Sequence, residues 1–139
     1  MDLRYLIVIA TLTLVPLQAQ SDQQPVFKSY EEMRSTLDSL MMAREMEQVM
    51  RRFGASDEMT DEQLRSLEVK VRTIFPGDFR HVDLLKRDDM GNGWARELYA
   101  YWSGLSYIYV AILMHDRGSE IVSINFKFNT DFDDIVQNF

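Results

Sequence analysis

The chain has 139 residues, a formal net charge of −7, no cysteine, and 46% hydrophobic and 12% aromatic side chains. The acidic balance argues against nucleic acid or an anionic membrane surface as the main partner, and the apolar content is too high for a disordered chain. Without cysteine there are no disulfides, thiolate metal ligands or lipid-anchored cysteine, so packing alone must hold the fold together.

Residues 1–19 read as a secretory signal peptide. Leu6–Val15 is a short apolar run behind Arg4, and it is followed by the helix breaker Pro16 and the small Ala19. The 13 residues from Tyr5 to Leu17 fall short of the ~20 that a bilayer-spanning helix needs, which disfavours a stable membrane anchor after cleavage. The expectation is a soluble chain beginning at Gln20 and exported to the periplasm or the extracellular space. Residues 20–26 then form a flexible N-terminus and 27–139 a single α+β domain.

Ser29 and Glu32 have capping-box spacing, so a helix starts near Tyr30. At about 100° per residue, Tyr30, Met33, Leu37, Leu40 and Met41 share one face, whereas Met42, Met46, Val49, Met50 and Phe53 fall nearly opposite. One straight helix would leave a stripe in water, so a break or sharp kink is expected within Met41–Glu45. Gly54 then closes the second piece as a left-handed cap. Met42, Met46 and Met50, four apart on one face, have the softness for Cu(I), but no histidine or further methionine completes a site, and core packing explains them.

Thr60 and Gln63 form a second capping box, and Leu64, Leu67, Val71, Ile74 and Phe75 give the helix its buried stripe until Pro76-Gly77 stops it. From there the periodicity is that of strands: Phe79–Lys86, Gly93–Ser103, Ser106–His115 and Glu120–Asn129, a four-stranded antiparallel meander. In the last strand Val122, Ile124, Phe126 and Phe128 alternate with polar residues, which predicts one core face. Ser106–His115 is apolar on both sides and needs cover on both. The turn at Asp116–Gly118 leaves the register of the last strand open. Thr130 is the expected cap of a short C-terminal turn in which Phe132, Ile135, Val136 and Phe139 make an apolar stripe. Asn129, Asp131, Asp133 and Asp134 open like a calcium loop, but glycine is missing at the sixth position and a helix start accounts for the acids. No metal and no cofactor is expected.

The run Tyr30–Phe53 with its mid-run break, the helix ending in Phe75-Pro76 and the terminal Ile124-Asn125-Phe126-Lys127-Phe128-Asn129-Thr130-Asp131 together resemble small exported domains of the cone-shaped nuclear-transport-factor-like or cystatin-like type. That resemblance implies short helices packed on a curved antiparallel sheet. Its members range from enzymes to ligand pockets and dimerising scaffolds, so it selects no function.

The histidines are His81 and His115. Asp83 shares a strand face with His81, which permits an acid–base dyad and hence a small lyase or isomerase of the cone type. Solvation at a strand edge is the ordinary alternative. Tyr99, Tyr101, Trp102, Tyr107 and Tyr109 lie on two strands joined by Gly104-Leu105, where glycine at the first loop position suits a type II′ hairpin. Trp102 then pairs with Tyr107 and Ala100 with Tyr109 on one face, while Tyr101 meets Ile108 and Tyr99 meets Val110 on the other. These five aromatics are the candidate patch for self-association or an apolar small ligand, unless the C-terminal segment covers the face. The expected role is a soluble exported binding or scaffold domain that is not an enzyme.

Overall fold

A computed structural model describes residues 24–137 and residue 139. The signal-peptide reading of 1–19 and the lead-in up to residue 23 lie outside the described residues. The architecture is α+β, built from β1 (Val26–Phe27), α1 (Tyr30–Met42), α2 (Met46–Arg52), α3 (Asp61–Ile74), β2 (His81–Gly91), β3 (Trp94–Ser103), β4 (Ser106–Asp116), β5 (Ile121–Asn129) and α4 (Phe132–Val136). The sheet has five antiparallel strands in the order β1-β5-β4-β3-β2. Four were expected, because a two-residue strand has no detectable alternation. Val26 and Phe27 pair with Val122 and Ile121, and Pro25 accepts the Ser123 N–H at 2.8 Å, so order begins before Phe27.

The expected break falls between α1 and α2. The Arg44 N–H reaches the Met41 carbonyl at 3.0 Å and the Glu45 N–H reaches that of Leu40 at 2.9 Å, a Schellman closure with Arg44 at φ 56°. A left-handed backbone costs a non-glycine residue about 1–2 kcal/mol. Arg44 offsets this with guanidinium bonds to the Asp78 carboxylate at 2.7 and 3.2 Å and to the Phe75 carbonyl at 2.9 Å. The outer bond of such a closure also ends α2, with Gly54 at φ 79° and the Ala55 N–H on the Met50 carbonyl at 2.9 Å. Reversing the apolar stripe lets both short helices bury their methionines: Met33, Met41 and Met46 are wholly enclosed in the core with Leu37, Val49 and Phe53.

Thr60 and Gln63 make both bonds of the capping box at the start of α3. At α1 only half of one forms, because Ser29 accepts the Glu32 N–H while the Glu32 carboxylate takes the N–H of Lys28. Ile74, expected in the stripe of α3, is half exposed, since the chain turns off at Phe75 before that face meets the core.

The sheet has three register shifts, between Leu84 and Lys86, between Asp89 and Gly91 and between Leu113 and Met114, and the bulges at Leu85 and Ile124 reset which residues face the helices. In β5, Leu113 pairs with Asn125 and Met114 with Ser123, so Ile124 is an extra residue. The predicted alternation therefore breaks: Phe126 stays buried, Ile124 is 46% exposed, and Ser123 turns inward, its hydroxyl on the Phe53 carbonyl at 3.1 Å. In β2, Leu84 pairs with Tyr99 and Lys86 with Leu98, which makes Leu85 the extra residue. The turn between β4 and β5 spans Arg117–Glu120, with the Arg117 N–H on the Glu120 carbonyl at 2.9 Å. At the far end Asp131, not Thr130, caps α4, accepting the N–H groups of Asp133 and Asp134, and Asn129 accepts that of Asp131. The side-chain oxygens of Asn129 and Asp131 thus serve the backbone.

Candidate functional site

The β3–β4 pairing follows the two-residue turn, with Gly104 at φ 60°: Trp102 opposite Tyr107, Ala100 opposite Tyr109, Tyr101 opposite Ile108 and Tyr99 opposite Val110. Strand alternation therefore divides the five candidate aromatics. Tyr99 and Tyr101 are fully buried on the helix-facing side and belong to no surface patch, while Trp102, Tyr107 and Tyr109 stand on the outer face.

On that outer face the rings form a row. His81 stacks on Trp102 with centroids 4.2 Å apart, Trp102 on Tyr107 at 5.8 Å and Tyr107 on Tyr109 at 6.5 Å, the last two pairs within 19° of parallel. Phe132 of α4 closes the row edge-on against Tyr109 at 5.2 Å. The C-terminal segment covers part of the face: Ile135 is buried, and the Phe139 ring lies under the cations of Lys86 and Arg96 at 5.0 and 4.9 Å. Leu98 and Ala100, on the same face, are buried as well, whereas Tyr107 is 39% and Leu105 at the hairpin tip 95% exposed.

His81 and Asp83 lie on this outer face too. The Asp83 carboxylate accepts the indole N–H of Trp102 at 2.7 Å, and His81 rests on the same indole. Among the described residues no hydrogen bond joins His81 to Asp83, and neither points to the side where the helices pack. Nor do three His, Asp or Glu side chains converge anywhere among the described residues in a way that would hold a metal ion.

The helix-facing side holds a polar cluster that the strand pattern only hinted at. Ala95, Glu97, Tyr99 and Tyr101 alternate along β3 into the core, so Glu97 is a wholly buried carboxylate. Burial is tolerable because three donors meet it: the Tyr30 hydroxyl at 2.9 Å, the Tyr99 hydroxyl and the Arg87 guanidinium. The bulge at Leu85 brings Arg87 opposite Glu97; an unbroken strand would send Lys86 inward instead. A second cluster adjoins it. Arg34 reaches the Tyr30 hydroxyl at 3.3 Å and Asp38 at 3.5 Å, with its guanidinium over the Tyr99 ring, and Asp38 accepts the Tyr101 hydroxyl at 2.7 Å. Burial first, then the hydrogen bond to Glu97, holds the Tyr99 hydroxyl protonated well above the usual phenol range. Burial and then the charge of Asp38 do the same for Tyr101. A glutamate at a core position of an otherwise apolar alternation was the available signal in the sequence; its partners were not readable.

Beside this cluster is a cavity of about 370 Å³ between the start of α1 and the turn end of the sheet, lined by Tyr30, Arg87, Gly93, Ala95, Met114, Asp116 and Ile121.

No family model matches the chain, and neither a curated protein nor a solved structure matches it.

Proposed function

We propose that this protein is an exported domain that works by binding rather than by catalysis, and that it self-associates through the outer sheet face. The observation that carries this reading is the ring row Trp102–Tyr107–Tyr109, which among the described residues meets a ring of the C-terminal segment, Phe132, at its Tyr109 end. Near-parallel rings on a sheet make a ridged apolar surface, and a two-fold axis through such a surface sets the same rings against one another. Leu105, almost fully exposed beside the row, adds an apolar knob to it. Pairing through the β2 edge is disfavoured, because the bulge at Leu85 and the charged run Lys86-Arg87-Asp88-Asp89 blunt that edge. The cone-shaped resemblance contributes the architecture to this reading and no activity. Export rests on Leu6–Val15 with Pro16 and Ala19.

Sedimentation velocity at tens of micromolar tests the association. A dimer that becomes a monomer in Tyr107→Glu, with an unchanged far-ultraviolet circular dichroism spectrum, is the expected result. A wild-type monomer at that concentration, or a dimer that survives the substitution, overturns it.

A further inference from the structure

The turn between β2 and β3 carries an asparagine-glycine pair that its own geometry imposes. Gly91, Asn92 and Gly93 have φ of 88°, 56° and 82°, and Gly91 pairs with Trp94 across the two-residue loop. Positive φ at both central residues marks the mirror-image type I′ turn, in which Asn-Gly is the favoured pair. The neighbouring turn fixes Gly93 a second time. A Cβ there would lie 2.1 Å from the Asp116 carbonyl oxygen, and the Asp116 N–H binds the Gly93 carbonyl at 2.7 Å. The residue after Asn92 therefore has no side chain to shield its nitrogen. Among the described residues, neither the Gly93 N–H nor the Asn92 side-chain amide has a hydrogen-bond partner, and both residues are exposed. The strand before them is loosened as well, since Met90 is an extra residue between the pairs Asp89–Ala95 and Gly91–Trp94. Asn125 and Asn129 lack this opening: Phe126 and Thr130 follow them, and the Asn129 side chain accepts the Asp131 N–H at 2.8 Å.

We propose that Asn92 is a site of spontaneous backbone modification, with water as the co-reactant. The Gly93 nitrogen attacks Cγ of Asn92, and the new N–Cγ bond closes a succinimide ring. The Cγ–Nδ2 bond breaks, and the side-chain nitrogen leaves as ammonia with the proton that the Gly93 nitrogen loses. Water then opens the ring on either side. Cleavage of the Cγ–N bond gives aspartate on an unaltered backbone. Cleavage between the Asn92 carbonyl carbon and the same nitrogen gives isoaspartate, whose main chain runs through Cβ and Cγ. Both products add one negative charge to a chain already at −7. Aspartate still suits the turn. Isoaspartate lengthens the main chain where the Gly93 carbonyl must meet the Asp116 N–H, so it breaks the junction of the two turns. The ring row of Trp102, Tyr107 and Tyr109 stands at the other end of β3 and β4, so self-association is a separate matter.

The test is to age the full chain in warm, mildly alkaline buffer, folded or unfolded in guanidinium chloride, and to follow each asparagine by peptide mass spectrometry with isoaspartyl methyltransferase labelling. Conversion is expected at Asn92 ahead of Asn125 and Asn129, and in the folded chain at a rate within about tenfold of the unfolded one, because only local rotation in the turn is needed. A slower folded rate, or conversion first at Asn125 or Asn129, overturns the proposal. Asn92→Asp supplies the charge without the rearrangement, so it should melt with fresh protein while the isoaspartate fraction melts lower. An Asn92→Asp protein that melts as low as that fraction overturns the account of the junction.

Discussion

Tyr30 and Glu97 stand 67 positions apart in the chain, yet the tyrosine hydroxyl donates to the buried carboxylate at 2.9 Å and ties the first helix to the third strand. Glu97→Ala should cost about 3–5 kcal/mol, because it removes the carboxylate against which Arg87, Tyr30 and Tyr99 are arranged. Tyr30→Phe removes one of three donors and should cost about 1 kcal/mol. Urea denaturation of both variants checks the ranking; equal losses would mean that Glu97 is not the hub of the cluster.

The buried tyrosines make stability depend on pH from the alkaline side. Both hydroxyls titrate higher in the folded chain than in the unfolded one, where a phenol ionises near its ordinary value of about 10. A raised folded value means the folded state holds its protons longer. The contribution is therefore fully present below pH ~10 and is lost as the pH rises above it, by up to about 1.4 kcal/mol per pH unit for each tyrosine. Thermal melts should show this slope beyond that pH, and Tyr101→Phe should halve it. A melting temperature independent of pH in that range would contradict the burial of these hydroxyls.

The β5 bulge separates two apolar residues that look alike in sequence. Phe126→Ala should cost about 3–5 kcal/mol, since the ring is buried and packs on Phe53 at 5.6 Å. Ile124→Ala, two residues earlier, should cost no more than about 1 kcal/mol because its side chain is half exposed. Chemical denaturation of the pair measures the difference. Similar losses would place Ile124 in the core and remove the bulge.

Gly93→Ala tests the junction of the two turns. The residue has φ 82°, and an added Cβ would lie 2.1 Å from the Asp116 carbonyl oxygen, whose own residue is held close by the Asp116 N–H bond to the Gly93 carbonyl at 2.7 Å. The expected loss is at least about 2 kcal/mol from backbone strain and displacement together. Gly91→Ala, with a similar φ but nothing within 4 Å, should lose only the left-handed penalty of about 1–2 kcal/mol. Thermal melting of the two variants separates crowding from conformation.

Local chemistry determined the elements and their ends. The stripe reversal at Met41–Met42 predicts the break near Arg44, Thr60 with Gln63 gives the start of α3, and Gly104-Leu105 gives the hairpin and hence the pairing of Trp102 with Tyr107. Each depends on residues within a few positions, where spacing alone decides the geometry. The bulges at Leu85 and Ile124 and the short β1 depend on what lies across the fold. A bulge is an extra residue relative to a partner strand, so no single strand records it. That is why Ile124 read as core, and why Arg87, carried inward by the bulge at Leu85, could not be assigned to Glu97. The sequence by itself determined an acidic, cysteine-free α+β chain with a paired aromatic hairpin. Only the tertiary structure decided which rings reach the surface, which carboxylate is buried, and that a cavity opens beside Tyr30, because these follow from register and from contacts between residues far apart in the chain.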